Sequence, residues 1–460
     1  MPLPDLAVER LTNLLGDRYT TDVDILQQHA EDESSHPPQR PQAVAFPLST
    51  EEVAEVVNVC ATNRIPIVPY GRGTSVEGGI IATHGGLCVD LGRMNQILSI
   101  NEKDLDAHVQ AGVTQFQLNK SLSDSTLFFS VDPGAEATLG GMASTRASGT
   151  NTVRYGAMRE NVLSVTAVLA DGRVVRSSSR ARKSSAGYDL TRLFVGAEGT
   201  LGLITELTVR LHRRPDALVS AVCAFETVDD AVHSVIRTVQ AGIPVARVEL
   251  LDEVAISAVN RYSQLDYSCK PTLFFEFQGT NDGVREQAQL VSSITRDCDG
   301  GEFEWATENS ERDRLWQARH DAYYAMLALR PEARSFTTDV CVPVSRLAEC
   351  IAATQIDLSR CPFPAPLLGH LGDGNFHVLM LVDPEDAAEL RLASEVNSRI
   401  VQRAIEMDGT CTGEHGVGIG KREYLISEHG AGLGVMKQIK QALDPFNLMN
   451  PGKVLPPEPR

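Results

Sequence analysis

The sequence has no uninterrupted apolar run approaching the roughly 20 residues that cross a bilayer. Its start, Met1-Pro2-Leu3-Pro4-Asp5, carries no basic stretch ahead of an apolar core and no Arg-rich tract. A membrane-spanning helix, a secretion signal and a transit peptide are therefore not expected. The cytoplasm is the expected location, with peripheral association at the inner membrane face left open although no anchor is encoded. C-x-x-C pairs are absent too. Nine cysteines lie scattered from Cys60 to Cys411, a pattern of reduced thiols rather than of a disulfide frame or an iron-sulfur centre. Any electrons handled then need another carrier. Basic residues are in short supply: 42 Lys and Arg face 60 Asp and Glu, for a formal charge of −18. That balance argues against phosphate backbones or anionic headgroups, so nucleic acid is not an expected partner. There is no repeat of solenoid period and no low-complexity tract.

The rest is ordinary for a globular chain: 42% hydrophobic and 22% charged residues over 460 positions, enough for two or three domains of about 150 residues each. Asp5 to Leu15 reads as a helix with Leu11, Leu14 and Leu15 on one side and Gly16 as its stop. Ser49-Thr50-Glu51-Glu52 has capping-box spacing ahead of Val53, Val56, Val57 and Cys60, a one-sided helix. Ile65 to Pro69 is a short strand that runs straight into a glycine-rich loop. From 86 to 215, β-rich runs alternate with turns (Leu87 to Leu91, His108 to Val113, Val162 to Leu169, Leu201 to Leu211), which is α+β texture. After Arg213-Arg214-Pro215 paired strand and helix patterns follow, such as Leu273 to Phe277 and a helix from about Asp282 to Cys298. A domain boundary is placed near 215. A last helix from about Leu433 leads into a turn-rich tail containing Asn450.

Glycines cluster in four places. Backbone amides approach a pyrophosphate closely only where side chains are missing, and positive φ angles aim successive N–H groups at one anion. Tyr70, Gly71, Arg72, Gly73, Thr74, Ser75, Gly78 and Gly79 supply that chemistry, without the spacing of G-x-G-x-x-G and without a following Gly-Lys-Ser/Thr. Pro133-Gly134 with Thr138, Gly140, Gly141 and Ser144 form a second cluster, Ser148, Gly149 and Thr152 a third, and Gly196, Gly199 and Ile204 a fourth. Four such loops beside strand-like sequence suit a long extended ligand such as a dinucleotide.

Leu367 to Leu381 holds His370 and His377. Seven residues span about 23 Å on a strand and about 10 Å on a helix, so the imidazoles meet only if the chain reverses. Asp373-Gly374 is a two-residue hairpin signal that would pair His370 with His377 on one face, about 5 Å apart, while Leu371 and Phe376 enter the core. Two such imidazoles suit a divalent metal. Glu414 and His415, flanked by glycines, add a carboxylate and an imidazole on a loop with little cover. Arg319, between Trp316 and Tyr323 on a helix, could present a guanidinium between aromatic rings to a carboxylate.

Residues 36 to 215 resemble the flavin-binding domain of the vanillyl-alcohol-oxidase superfamily, and 216 to 456 the C-terminal domain of its FAD-linked oxidases. The resemblance implies FAD, with Gly71 to Ser75 around the pyrophosphate and Pro133-Gly134 and Thr138 to Ser144 along the ribityl chain and flavin. Ser148 to Thr152 would lie near the isoalloxazine, with Ile204 and Asn450 closing the site. Arg146 departs from the small or amide residue more usual there. No histidine lies between Gly71 and Gly79, where covalent members carry one, so dissociable FAD is expected. The fold implied is α+β: an FAD domain (1–215), an α/β substrate cap with an antiparallel sheet and metal site (216–420), and a segment returning to the FAD domain (421–460).

The resemblance further implies a metal on His370, His377 and Glu414, with zinc or manganese fitting better than calcium, and His415 as catalytic base. Arg319, Asn375 and Thr337 become the substrate residues. Hydroxyglutarate-type relatives carry a lysine where Thr337 stands. The implied reaction is oxidation of a D-2-hydroxy acid, D-lactate first, with electrons passed to a quinone, a cytochrome or an electron-transfer flavoprotein. Glycolate or D-2-hydroxyglutarate as substrate, a non-catalytic flavin subunit, and a homodimer remain open alternatives.

Overall fold

The computed structural model describes residues 2–457. They form two compact units. The first comprises residues up to Gly149, Gly156–Arg214, and the chain from Glu414 onward; the second comprises Thr150–Tyr155 and Pro215–Gly413. The second unit thus ends seven residues before the expected 420. Backbone bonding explains why: Val417 and Gly418 donate their amides to the Glu198 carboxylate, and Ile419 donates to the Glu77 carbonyl.

The first unit is built on two sheets. In a four-stranded sheet, Ala43–Ala45, Leu87–Asp90 and Ile67–Tyr70 run parallel, with Tyr19–Thr20 antiparallel at one edge. A five-stranded antiparallel sheet has the order Ile97–Asn101, Asp106–Gln110, Leu203–Arg210, Val162–Val168, Val174–Arg176. The helix Thr50–Asn63 buries Val53, Val56, Val57 and Cys60 as its spacing predicts. Its capping box is only half made. Ser49 accepts from the Glu52 amide, but the Glu52 carboxylate is held by Arg18 and the Leu48 amide. Asp5–Leu15 is helical and stops at Gly16, whose φ of +60° needs glycine. The C-terminal segment joins this unit by backbone bonds from Ile67 to Leu448 and from Asn450 to Ile67.

The second unit is an eight-stranded antiparallel sheet with helices on it. Its order is Gly300–Ala306, Ala217–Phe225, Thr272–Gly279, Val245–Leu251, Leu367–His370, Asn375–Val382, Arg334–Thr337, and the short Val340–Cys341 also pairs with Asn375–Val382. Glu249 pairs with His370, His370 with Asn375, and Thr337 with Leu379, so alternation sets Glu249, His370, Asn375, His377 and Thr337 on one face. Leu251, Phe274, Leu368 and Leu379, also of that face, pack with Leu315, Trp316 and Ala322 of the helix Asn309–Leu327 and with the helix Glu253–Ser263. One sheet face therefore carries an apolar helix seat and a polar patch side by side.

Candidate active site

In the first unit, the Ile67–Tyr70 strand delivers the Gly71–Gly79 loop. Gly73 and Gly78 take φ of +75° and +73°, the left-handed region that turns amides toward one side of a loop. Gly71 lies so close to Thr138 that a Cβ would come 2.6 Å from its hydroxyl oxygen. The second cluster is a short helix rather than an extended loop: Thr138 caps Leu139–Thr145 by accepting from the Gly141 amide. Gly140 is glycine because a Cβ would sit 2.6 Å from that of Ala111, and Ser144 spends its hydroxyl on the Gly140 carbonyl. Gly149 faces the Asp132 carbonyl, and Gly199, at φ +72°, faces Pro69. Pro133 and Gly134 sit in the loop before Thr138, and a Cβ on Gly134 would meet open space. Thr74 and Ser75 are partly buried, and Ser75 accepts from the Gly79 amide.

Other candidates of this unit have structural tasks. Arg72 is half exposed and reaches Glu136 at 3.4 Å, at the rim of a 520 Å³ cavity that Gly71, Gly112 and Thr114 also line. The Tyr70 ring lies against His29, and burial raises its pKa to about 12. Ile204 belongs to the core. Arg146 is tied to the Val195 carbonyl at 2.9 Å beneath Gly196. Asn450 is almost fully buried, and its amide donates to the carbonyls of Gly79 and Glu198 at 2.9 and 2.7 Å. Its own Oδ1 is buried and meets no donor among the described residues, so the loop cluster holds an unused acceptor for a ligand hydroxyl or amine. Glu198, which takes the amides of Val417 and Gly418 at 2.6 and 2.8 Å, has a pKa raised by burial to about 7. Ser148 donates to Glu414 at 2.5 Å, and His415 Nε2 lies 4.0 Å from the same carboxylate.

The hairpin of the second unit reverses where expected, with a different turn. Leu371–Asp373 make a 3-10 turn closed by Gly374 at φ +81°, so four residues connect the strands. His370 consequently pairs with Asn375, and His377 with Leu368, in place of the expected His370–His377 pair. A shift of two residues preserves the face, whereas a shift of one would have split the pair. The imidazole centroids lie 5.5 Å apart, and Leu371 and Phe376 are fully buried. His370 Nδ1 lies 2.8 Å from Glu249 Oε1, and His377 Nδ1 lies 3.2 Å from the Thr338 carbonyl. Both partners only accept, so both Nδ1 atoms carry hydrogen and Nε2 is the ring atom left to bind a metal. That is the tautomer a metal-binding histidine needs, and a carboxylate or carbonyl is its usual support. The pair therefore fits a divalent ion.

Arg319 does not emerge between Trp316 and Tyr323. Its Nε donates to Glu249 Oε2 at 2.8 Å, while the guanidinium over the Trp316 ring, at 5.3 Å, belongs to Arg247. The strand partner wins because Glu249 offers a buried charge and the rings offer only a quadrupole. Burial by itself pushes the Glu249 carboxyl up, but His370 and Arg319 outweigh it and hold the pKa below the ordinary glutamate value. Asn375 donates to Asp339 and to the Val340 carbonyl, both at 2.8 Å. Its Oδ1 is buried without a donor among the described residues, so it can accept from a hydroxyl. The Thr337 hydroxyl is 2.9 Å from that of Ser335. Thr152 opens a short helix, Thr152–Tyr155, held to the sheet by bonds from Tyr155 to Gln278 and from Arg247 to Asn151.

Glu249, Asp339 and Glu198 do not stand out in the sequence as site residues. Glu249 and Asp339 leave a faint signal, since an acid inside a buried strand pattern, as in Val248-Glu249-Leu250, needs a partner.

Family models match both units: "FAD binding domain" over residues 41–178 and "FAD linked oxidases, C-terminal domain" over 214–454. The chain belongs to the FAD-linked oxidases. It is 50% identical to a probable mitochondrial D-lactate dehydrogenase of Danio rerio, over 94% of this chain and 88% of that one. It is 45% identical to the mitochondrial cytochrome-type D-lactate dehydrogenase of Arabidopsis thaliana, over 99% and 81%. Among solved structures, p-cresol methylhydroxylase with substrate bound gives a TM-score of 0.81 at 17% identity, over 99% and 98%, a likeness of fold alone. The fold is of the vanillyl-alcohol-oxidase type. The expected cytoplasmic location is corrected by these relatives, both named mitochondrial. A compartment is set by processed address signals that composition and folded domains do not record.

Proposed function

We propose that this FAD-linked enzyme oxidises a D-2-hydroxy acid, D-lactate before others, to the 2-oxo acid and passes the electrons to an external cytochrome, quinone or electron-transfer flavoprotein. The observation that carries this is the 45–50% identity, over nearly the whole chain, to proteins named D-lactate dehydrogenases. FAD would be held without a covalent bond by Tyr70 to Ser75 and Gly78, by Pro133-Gly134 and Thr138 to Ser144, and by Ser148 to Thr152, with Gly199, Ile204 and Asn450 behind them. Zinc or manganese would be held by His370, His377 and Glu414, a nitrogen and carboxylate set of the kind that leaves positions open. When bound, the flavin supplies the hydride acceptor and the metal supplies Lewis acidity at the substrate hydroxyl.

The chain's own residues do the rest. Arg319 binds the substrate carboxylate through its terminal amino groups, Nε being committed to Glu249. Asn375 lines the substrate site, where its Oδ1 is a buried acceptor without a donor among the described residues. His415 takes the hydroxyl proton on a ring nitrogen. Thr337 leaves the substrate side chain without a cation, which favours a small monocarboxylate over a diacid. Anaerobic titration with D-lactate, L-lactate, glycolate and D-2-hydroxyglutarate, followed by flavin absorbance, tests the reading. Fastest bleaching by D-lactate is expected. Preference for glycolate would reassign the substrate, and a flavin that no hydroxy acid reduces would leave a non-catalytic flavin subunit.

A further inference from the structure

Glu249 has a side chain 1% exposed, and each of its carboxylate oxygens serves a different partner. Oε1 lies 2.8 Å from His370 Nδ1 and Oε2 2.8 Å from Arg319 Nε. The first contact is set by strand register, since Glu249 and His370 are directly paired neighbours, and the second by the helix Asn309–Leu327 lying on the sheet. We infer that Glu249 is a positioning residue that couples metal binding by His370 to carboxylate binding by Arg319 through one buried charge. This rests on the roles proposed above for those two residues.

Three effects converge on that carboxylate. It fixes the hydrogen of His370 on Nδ1 and so makes Nε2 the atom available to a metal. By engaging Arg319 at Nε it fixes the plane of the guanidinium, whose terminal amino groups have no acceptor among the described residues, and a planar fork held in place loses less freedom on binding a carboxylate. It also offsets charge: without it, a guanidinium and a divalent cation would share a site of low dielectric. Asp339 does not take its place at His370 and Arg319, because its oxygens lie against Asn375, Thr412 and, at 3.7 Å, His377 Nδ1.

Glu249→Gln tests the coupling, since the amide keeps one acceptor and turns the other toward its partner as a donor. In metal-stripped holoenzyme titrated with zinc and with manganese, affinity is expected to fall about 10–100-fold. With metal saturating, the apparent Kd for D-lactate, read from anaerobic flavin bleaching, is expected to rise about tenfold. Arg319→Met raises the D-lactate Kd without weakening metal binding. The double variant binds D-lactate little worse than Arg319→Met alone, because both act through the same guanidinium. Unchanged metal affinity in Glu249→Gln, or strictly additive losses in the double variant, overturns the coupling. His370→Ala separates the two levels: if it retains full metal affinity, the metal reading itself fails, whatever Glu249 does. If Glu249→Gln does not fold, Glu249→Asp keeps the charge but falls short by about one methylene, roughly 1.5 Å. It then shifts at least one of the two affinities, and wild-type values for both overturn the proposal.

Discussion

In the loops around Gly71, Gly78 and Gly199, side chains are kept out by close approach, a Cβ meeting Thr138, His36 and Pro69 within 2.4–2.8 Å, and the FAD contacts proposed there are main chain. On the sheet of the second unit the reverse holds. The roles proposed for Glu249, His370, His377, Asn375 and Arg319 lie in side chains, each held by a second group. The difference teaches where each region is fragile. A loop that binds through amides fails when volume is added, and a side-chain constellation fails when a charge or proton is misplaced.

The largest expected effect attacks the side-chain region. His415→Asn should lower flavin reduction by D-lactate about 10²–10⁴-fold, the usual weight of a general base, while the flavin spectrum stays intact. Rapid bleaching in stopped flow would remove His415 from that role. Stripping the metal with chelator, or His377→Ala, should lower turnover at least about 100-fold, a loss of about 2.7 kcal/mol or more of charge stabilisation, without releasing FAD. Full turnover in a sample shown to be metal-free would end the Lewis-acid reading. Arg319→Met should reduce kcat/KM for D-lactate by about 10–100-fold, the loss of a charged hydrogen bond, mostly through KM.

The main-chain region is tested by Gly71→Val. With the Thr138 hydroxyl oxygen only 2.6 Å from where a Cβ would stand, about 1–3 kcal/mol of overpacking should appear as FAD lost on dilution, with metal affinity unchanged. Loss of both would show that the two regions are not separable.

The smallest effect concerns Glu198. Burial lifts its pKa to about 7, so the folded protein holds a proton that the unfolded chain gives up near pH 4.5. Between those values the folded state binds more protons, and stability falls as pH rises. Above pH 7 the buried carboxylate costs about 3 kcal/mol at roughly 1.36 kcal/mol per pKa unit. Glu198→Gln should lose a constant amount with one of its backbone contacts yet flatten the decline in unfolding temperature between pH 4.5 and 7.5. An unchanged slope would assign that decline elsewhere, for instance to Asp252, whose pKa burial also raises to about 7.

Much of the fold is legible from pattern. The helix Asp5–Leu15 and the helix Thr50–Asn63 follow from apolar spacing and end signals, and the strand before Gly71 from a short β-rich run into glycine. The hairpin at Asp373-Gly374 is legible as a reversal but not in its register, because Leu371–Asp373 coil into a 3-10 turn that a two-residue template does not contain. Gly140 and Gly141 look like loop glycines, yet they open a helix capped by Thr138, since glycine is also what lets that helix approach Ala111. Arg319 is legible as a candidate carboxylate anchor on a helix, but its partner Glu249 lies 70 positions away and is found only in space.

Residue identity alone determined which groups are available: glycine and hydroxyl loops for a dinucleotide, two imidazoles near a chain reversal, a guanidinium and a carboxylate-imidazole pair. Periodicity determined which runs become strands and helices, because local sterics and apolar spacing act over a few residues. Tertiary structure alone decided how each group is held: Glu249 between His370 and Arg319, Asn450 across Gly79 and Glu198, Arg146 against Val195. Burial is what gives these contacts their strength, and burial exists only after distant segments have come together.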